Sequence, residues 1–236
     1  MLTPELAALT ASAAALGFFH TLLGPDHYLP FIVMARAKKW TIARTALITS
    51  LCGIGHIGSS MLLGFIGIGI GLGAARIEAF DSFRSDIASW GLIAFGLVYF
   101  AYGVKTSWKK RPHEHSHVHA DGSVHIHRHA HVEEHAHVHG KEADITPWVL
   151  FTLLVLGPCE PLIPLFMYPA VQESIAGLVW VTAAFGGVTI AAMTGAVTLA
   201  MLGFDLVSVK PLERFAHALA GITIFACGIA VQFFGI

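Results

Sequence analysis

Two histidines and an aspartate lie close together inside an apolar stretch near the start of the chain. His27 follows His20 by seven residues, and Asp26 directly precedes His27. Imidazole and carboxylate groups are common ligands of metal ions. On a continuous helix this spacing would place both rings on one face. Gly24 and Pro25 interrupt the helix between them, however, and release backbone carbonyls that could also bind an ion.

The composition indicates an integral membrane protein. Of the 236 residues, 55% are hydrophobic and 12% are charged, and the mean hydropathy is +0.69. Soluble domains carry about 25% charged residues. The net charge of −1 at pH 7 suggests no nucleic-acid partner. Ionisable side chains inside such a protein are costly to bury and therefore mark a functional site.

Six apolar segments are long enough to cross the roughly 30 Å hydrocarbon core of a membrane. They cover residues 5–34, 41–73, 86–104, 147–170, 175–203 and 213–235, to within a few positions. The first, second and fourth exceed the minimum length, as expected for tilted or broken helices. We therefore predict an all-α polytopic membrane protein with six transmembrane helices.

The sequence contains an internal repeat. Leu-Gly-Pro occurs at residues 23–25 and again at 156–158. The offset between these two copies also relates Gly53 to Gly186 and Ile57 to Ile190. Three spans per half is an odd number, so the two halves would lie antiparallel in the membrane. This pattern predicts two inverted three-helix repeats with broken first helices, at residues 1–106 and 147–236, and a site near the midplane.

Residues 107–146 between the repeats form a His-rich loop. Its eleven histidines follow mostly a His-x-His alternation: His113, His115, His117, His119, His125, His127, His129, His131, His135, His137 and His139. Such a polar composition cannot bury a core, so we expect the loop to be largely disordered without metal. The density of imidazoles indicates a metal buffer or sensor rather than a plain linker.

Lysine and arginine concentrate on one side of the predicted membrane. Twelve of the fourteen lie in the segments 35–44, 105–146 and 204–214, whereas the opposite side has only Arg76 and Arg84. By the positive-inside rule the His-rich loop is cytoplasmic and both termini lie outside. The expected location is a plasma (inner) membrane.

Further ionisable residues lie within the predicted spans. His56 is in the second span, and Glu160 is in the fourth, next to Cys159. No basic residue lies near the centre of a predicted span, so the carboxylates of Asp26 and Glu160 need protons or a cation. A divalent transition metal would match two carboxylates and the nearby imidazoles. The predicted metal ligands are His20, Asp26, His27, His56, Cys159 and Glu160.

On these residues the chain resembles the nickel/cobalt transporter superfamily, including its efflux branch and its urease-accessory-like members. The resemblance rests on His20 with Asp26 and His27, on the Gly-His-x-Gly-Ser-Ser motif at 55–60, and on the His-rich loop. Five residues separate His20 from Asp26, one more than in the permease branch. The resemblance implies a permease of six to eight helices that moves Ni or Co, with the motif histidines as ligands.

A second resemblance involves residues 157–161, Gly-Pro-Cys-Glu-Pro. They look like the Pro-Cys-x-x-Pro element of the thiol-reductant transporters used in cytochrome c maturation, which carry one such cysteine per repeat and exchange a disulfide. In this chain the matching position of the first repeat is Asp26, which argues against reductant transfer. Organic-anion or sulfite export, a third related class, would require buried cationic groups.

We therefore expect a transporter and not an enzyme, with a divalent transition-metal ion as substrate, Ni or Co first and Zn or Fe next. Export is the favoured direction, because a cytoplasmic loop would present excess ion to the inner mouth. No permanent cofactor is expected, and the other partner is membrane lipid. A homo-oligomer is compatible with the sequence. Without a nucleotide-binding loop, protons or the membrane potential would drive transport. The non-transporter alternative is a membrane metal chaperone or sensor.

Overall fold

The computed structural model describes residues 3–71, 73–109, 144–157, 159, 161, 165, 175–206 and 210–235, and the backbone of two strands at 113–118 and 124–129. The α-helices in these ranges are α1 (Pro4–Leu23), α2 (Leu29–Lys38), α3 (Ile42–Gly69), α4 (Ala74–Lys109), α5 (Thr146–Leu156), α6 (Ile175–Leu206) and α7 (Ala216–Phe234). Two short 3-10 helices lie at Pro25–His27 and Lys210–Phe215, and the strands are β1 (His113–Val118) and β2 (Val124–His129).

Five helical segments in the described residues are long and apolar enough to cross a membrane. They are Pro4–Leu23, Ile42–Gly67, Ala75–Trp108, Ile175–Gly203 and Glu213–Phe234. This confirms the predicted class, a helical membrane protein, for the described part of the chain. The predicted fourth span, 147–170, is described mainly as α5, whose 11 residues are too few to span by themselves. Most of 158–174 lies outside the described residues.

The predicted first span, 5–34, consists of two helices joined by a sharp break. α1 ends at Leu23, because Gly24 adopts an extended conformation (φ −90°, ψ 93°) and Pro25 has no N–H to continue the helix. The 3-10 turn Pro25–His27 then leads into α2. α2 lies inside the main apolar core, where it packs against α3, α6 and α7.

α4 begins at Ala74, well before the start of the predicted third span at residue 86. Asp81 and Arg84 lie one turn apart in this helix, with 2.9 Å between Asp81 Oδ1 and Arg84 Nη1. Both are buried, at 2% and 7% exposure. The prediction that Arg84 belongs to an external loop is wrong, because Arg84 lies within α4. Because the two opposite charges neutralise each other, both side chains can lie in the buried part of α4.

The His-rich loop contains an antiparallel hairpin. In its register β1 and β2 pair His113 with His129, His115 with His127 and His117 with His125. Alternate residues of a strand share a face, so this register assigns the six histidine positions to the same face of the ribbon. Most of the remaining loop lies outside the described residues, and its disorder stays a prediction.

Asp144 anchors the end of the His-rich loop to the helices. Its carboxylate accepts hydrogen bonds from Trp40 Nε1 and Arg44 Nη2, each at 3.2 Å, and lies 3.4 Å from Lys38 Nζ. Burial alone would raise the pKa of Asp144, but a hydrogen bond from Thr146 and the charge of Lys38 hold that pKa below its usual value. The ionised carboxylate thus ties the start of α5 to the end of α2 and the start of α3.

α4 and α7 pack together through glycines. A Cβ added at Gly96 would lie 2.3 Å from the backbone nitrogen of Phe225, and one at Gly221 would lie 2.2 Å from that of Phe100. Small residues permit this backbone approach, which stabilises helix pairs in membranes by van der Waals contact.

We expect Gly221→Ala to destabilise the protein by roughly 1–3 kcal/mol, because the added methyl group would collide with the backbone of α4. The measurement is thermal unfolding of the purified protein in detergent. Gly195→Ala in α6 is the matched control, since a Cβ there meets nothing within 4 Å. Equal melting temperatures for the two variants would contradict this packing.

Candidate metal centre

Three histidines from α1, α3 and the intervening break meet in the protein interior. His20 lies in the last turn of α1, His27 ends the 3-10 turn, and His56 lies near the middle of α3. One ring nitrogen of each lies within 4.8 Å of the other two. The ring centroids of His20 and His27 are 4.7 Å apart, and those of His27 and His56 are 5.2 Å apart. The structure thus brings together three of the six predicted ligands.

Hydrogen bonds to backbone carbonyls orient two of these rings. His27 Nδ1 lies 3.1 Å from the carbonyl oxygen of Gly24 and 3.0 Å from Asp26 Oδ1. His56 Nδ1 lies 2.9 Å from the carbonyl oxygen of Leu154. A carbonyl can only accept, so Nδ1 carries the proton in both rings, and Nε2 holds a lone pair whenever the ring is neutral. Metal-binding histidines commonly have this arrangement.

The Nε2 atoms of His20, His27 and His56 are buried, and none has a hydrogen-bond partner within the described part of the chain. His27 is 3% exposed and His56 is 1% exposed. An unpaired buried polar atom costs about 1–3 kcal/mol, so three such atoms in one place are unfavourable without a ligand. One metal ion could accept all three lone pairs. Imidazole nitrogens favour transition metals such as Ni, Co, Zn or Fe over Mg or Ca.

Asp26 lies behind His27 and is not a member of the three-histidine group. Its Oδ1 accepts the hydrogen bond of the His27 ring, an interaction that makes an imidazole a stronger metal ligand. Cys159 is buried in an apolar cluster that includes Ile57 and Phe185. Glu160 lies outside the described residues. The direct ligand roles of Asp26, Cys159 and Glu160 stay predictions.

Two glycines make room for the centre. A Cβ at Gly24 would lie 2.7 Å from His27 Nδ1 and 3.0 Å from Asp26 Oδ1. A Cβ at Gly55 would lie 2.7 Å from the side chain of Val155, so Gly55 allows α5 to approach α3. This approach brings the Leu154 carbonyl of α5 within hydrogen-bond distance of the His56 ring.

Sequence reasoning missed two neighbours of the centre, the carbonyl of Leu154 and the guanidinium of Arg84. Arg84 Nη2 donates to the carbonyl of Val155, the next residue after Leu154, at 2.7 Å. The one-turn spacing of Asp81 and Arg84 is a signal that could have indicated an ion pair inside a longer α4. No such signal exists for Leu154, because every residue carries a carbonyl.

No family model matches the chain, and neither a curated protein nor a solved structure matches it. The fold and the centre themselves define the class: a helical membrane protein with a buried group of three histidines that could bind a metal ion.

We expect Gly24→Ala to weaken cobalt binding about ten- to a hundredfold, the usual effect of disturbing a group that orients a metal ligand. The methyl group would displace the His27 ring from its hydrogen bonds. Binding is titrated on the full-length chain with all eleven loop histidines replaced by serine, so that only the centre is measured. Gly58→Ala, where a Cβ meets nothing within 4 Å, should bind like its parent. Equal affinities would refute the role assigned to Gly24.

Proposed function

We propose that this protein transports divalent transition-metal ions across a membrane, with Ni or Co as the first candidates and Zn or Fe next. The observation that carries the proposal is the three unpaired Nε2 atoms buried together beside the break between α1 and α2. The metal would be the transported substrate and not a resident cofactor. Ionisable groups at an interrupted membrane helix are characteristic of ion pathways.

Reciprocal contacts between α3 and α6 support the proposed inverted repeat. A Cβ at Gly53 would lie 3.1 Å from Cγ1 of Ile190, and one at Gly186 would lie 2.9 Å from Cγ2 of Ile57. The sequence offset that relates the two Leu-Gly-Pro copies also relates Gly53 to Gly186 and Ile57 to Ile190, so the two contacts are equivalent. Residue numbers rise along one helix as they fall along the other, so α3 and α6 run antiparallel.

The helix boundaries follow the same offset. α1 ends at Leu23 and α5 ends at Leu156. α3 begins at Ile42 and α6 begins at Ile175. The separation of the two helix ends in the sequence equals the separation of the two helix starts. In the proposed architecture α5 is the counterpart of α1 and ends at the equivalent Gly-Pro break. The predicted fourth span, 147–170, of which α5 is the main described part, belongs to this proposed architecture.

The proposed direction is export. The basic residues on one side of the spans favour a cytoplasmic His-rich loop, with both termini outside a plasma (inner) membrane. The six histidines on one face of the hairpin would collect metal there. Opposite residues of antiparallel strands have Cβ atoms about 4.5–5.5 Å apart, a separation compatible with binding a shared ion. The loop would thus raise the local concentration of metal at the inner mouth.

Other related classes have less support. A thiol-reductant transporter would use a cysteine in each half, whereas Cys159 corresponds to Asp26 in the first repeat. An anion exporter would offer a buried cation to its substrate, but the charge of Arg84 is neutralised by Asp81. A metal chaperone or sensor would share the centre but would not produce flux.

We expect His27→Ala to lower metal flux into proteoliposomes by roughly tenfold or more, because it removes the ring that lies against both His20 and His56. Flux is measured with Ni, Co, Zn, Fe and Mg, and the internal pH is followed to detect proton coupling. His217→Ala is the control, since His217 hydrogen-bonds Tyr99 outside the centre. Unchanged flux in His27→Ala would remove the site. Binding without flux in the parent protein would favour the chaperone or sensor.

We expect the double substitution His115→Ser and His127→Ser to raise the metal concentration needed for half-maximal transport severalfold while the maximal rate stays near that of the parent. These two histidines are opposite each other in the hairpin. Glu114→Ser with Arg128→Ser, the adjacent pair on the other face, is the matched control. Complete loss of transport in the histidine variant would instead make the hairpin part of the ion path.

A further inference from the structure

Arg84 is buried in α4 and contacts two other segments, α3 and the end of α5. Its Nη1 donates to Asp81 Oδ1 at 2.9 Å. Its Nη2 lies 2.9 Å from Ser59 Oγ on α3, 2.7 Å from the carbonyl oxygen of Val155 and 3.4 Å from that of Gly157. A charge at this depth is expensive, and an apolar residue would pack at lower cost, so a structural role alone explains Arg84 poorly.

The carbonyls that Arg84 contacts lie at the end of α5. A helix leaves its last carbonyls without intrahelical partners, and its C-terminus carries partial negative charge. Ser59 Oγ also lies 2.7 Å from the carbonyl oxygen of Val155. The neighbouring carbonyl of Leu154 accepts the Nδ1–H of His56. Side chains from α3 and α4 therefore hold two consecutive carbonyls of α5, one of which orients a histidine of the metal centre.

We propose that Arg84 is a positioning residue for the metal centre and acts through His56. By holding the Val155 carbonyl, the guanidinium fixes the end of α5 and keeps the Leu154 carbonyl in place for the His56 ring. Nδ1 of His56 then stays committed to that carbonyl, which leaves the lone pair of Nε2 for the ion. This inference rests on the proposed function, since it takes the three histidines as the ion site.

Arginine is suited to this task because its planar fork presents several donors in a fixed geometry, whereas lysine is a single point charge. One nitrogen of Arg84 meets Asp81 while the other meets Ser59 and the helix end. Arg84→Lys would keep the charge but could not make both sets of contacts. We expect it to recover only part of the affinity that Arg84→Gln loses.

The test is a double-mutant cycle on cobalt binding, in the full-length chain with serine at the eleven loop positions. Arg84→Gln should weaken binding about ten- to a hundredfold and shift the visible absorption of bound cobalt, because His56 no longer holds its orientation. His56→Ala should weaken binding at least as much. In the His56→Ala background, Arg84→Gln should cause no further loss. Arg76→Gln, an exposed arginine on the same helix, should bind like the parent.

Two results would overturn the inference: an unchanged affinity in Arg84→Gln, or losses that add in the double variant. If Arg84→Gln does not fold, Arg84→Lys replaces it in the same cycle, because it keeps the charge beside Asp81 but cannot also make the contacts of Nη2 with Ser59 and Val155. The same two criteria then apply. Failure of the proposed function is distinguishable: His56→Ala would bind cobalt like its parent, or the parent would bind metal without transporting it.

Discussion

The hydrocarbon core of a membrane offers no water to polar atoms, so each backbone N–H and C=O in a spanning segment needs a partner within the protein. The ends of α1 and α5 are the critical points, because a helix end exposes carbonyls. Near the first end, the carbonyl of Gly24 accepts from the His27 ring. Near the second, the carbonyl of Leu154 accepts from the His56 ring. Each of these carbonyls also accepts a backbone N–H, that of His27 for Gly24 and that of Gly157 for Leu154. The same carbonyls therefore stabilise the turns at the helix ends and orient the histidines.

Once those hydrogen bonds are made, each ring has committed one nitrogen to the backbone and has one nitrogen left. The remaining Nε2 atoms, together with that of His20, are buried side by side. The orientation of His27 and His56 in the candidate centre thus depends on carbonyls at the two helix ends. Asp26 adds negative charge behind His27, and Arg84 is paired with Asp81, so a cation entering the centre would meet a neutral or weakly negative surrounding.

In the proposed inverted repeat, the two halves would share contacts but not chemistry. At the position equivalent to His56, the second half carries Thr189, whose Oγ1 donates to the carbonyl of Gly17 in α1 at 3.5 Å. Under this proposal, the side chain at this position in each half hydrogen-bonds a carbonyl of the other half's first helix. Only the imidazole keeps a second nitrogen for a ligand. The proposed repeat would then supply a symmetric scaffold, with the histidine group assembled on one side of it.

Much of this was accessible from the sequence by itself. The apolar segments, the break at Gly24 and Pro25, and the candidate histidines all follow from residue type and local order, since hydropathy and helix interruption are local properties. The constant offset between the two halves also relates positions that prove to be in reciprocal contact. Tertiary structure alone decided that His20, His27 and His56 converge, that Asp26 lies behind a ring, and that Arg84 is buried. Those outcomes depend on contacts between distant positions: His56 and Leu154 are 98 residues apart, and Arg84 and Val155 are 71 apart. A sequence does not distinguish one backbone carbonyl from another, or a paired charge from an unpaired one. Only the packing of the helices determines which of these groups come into contact.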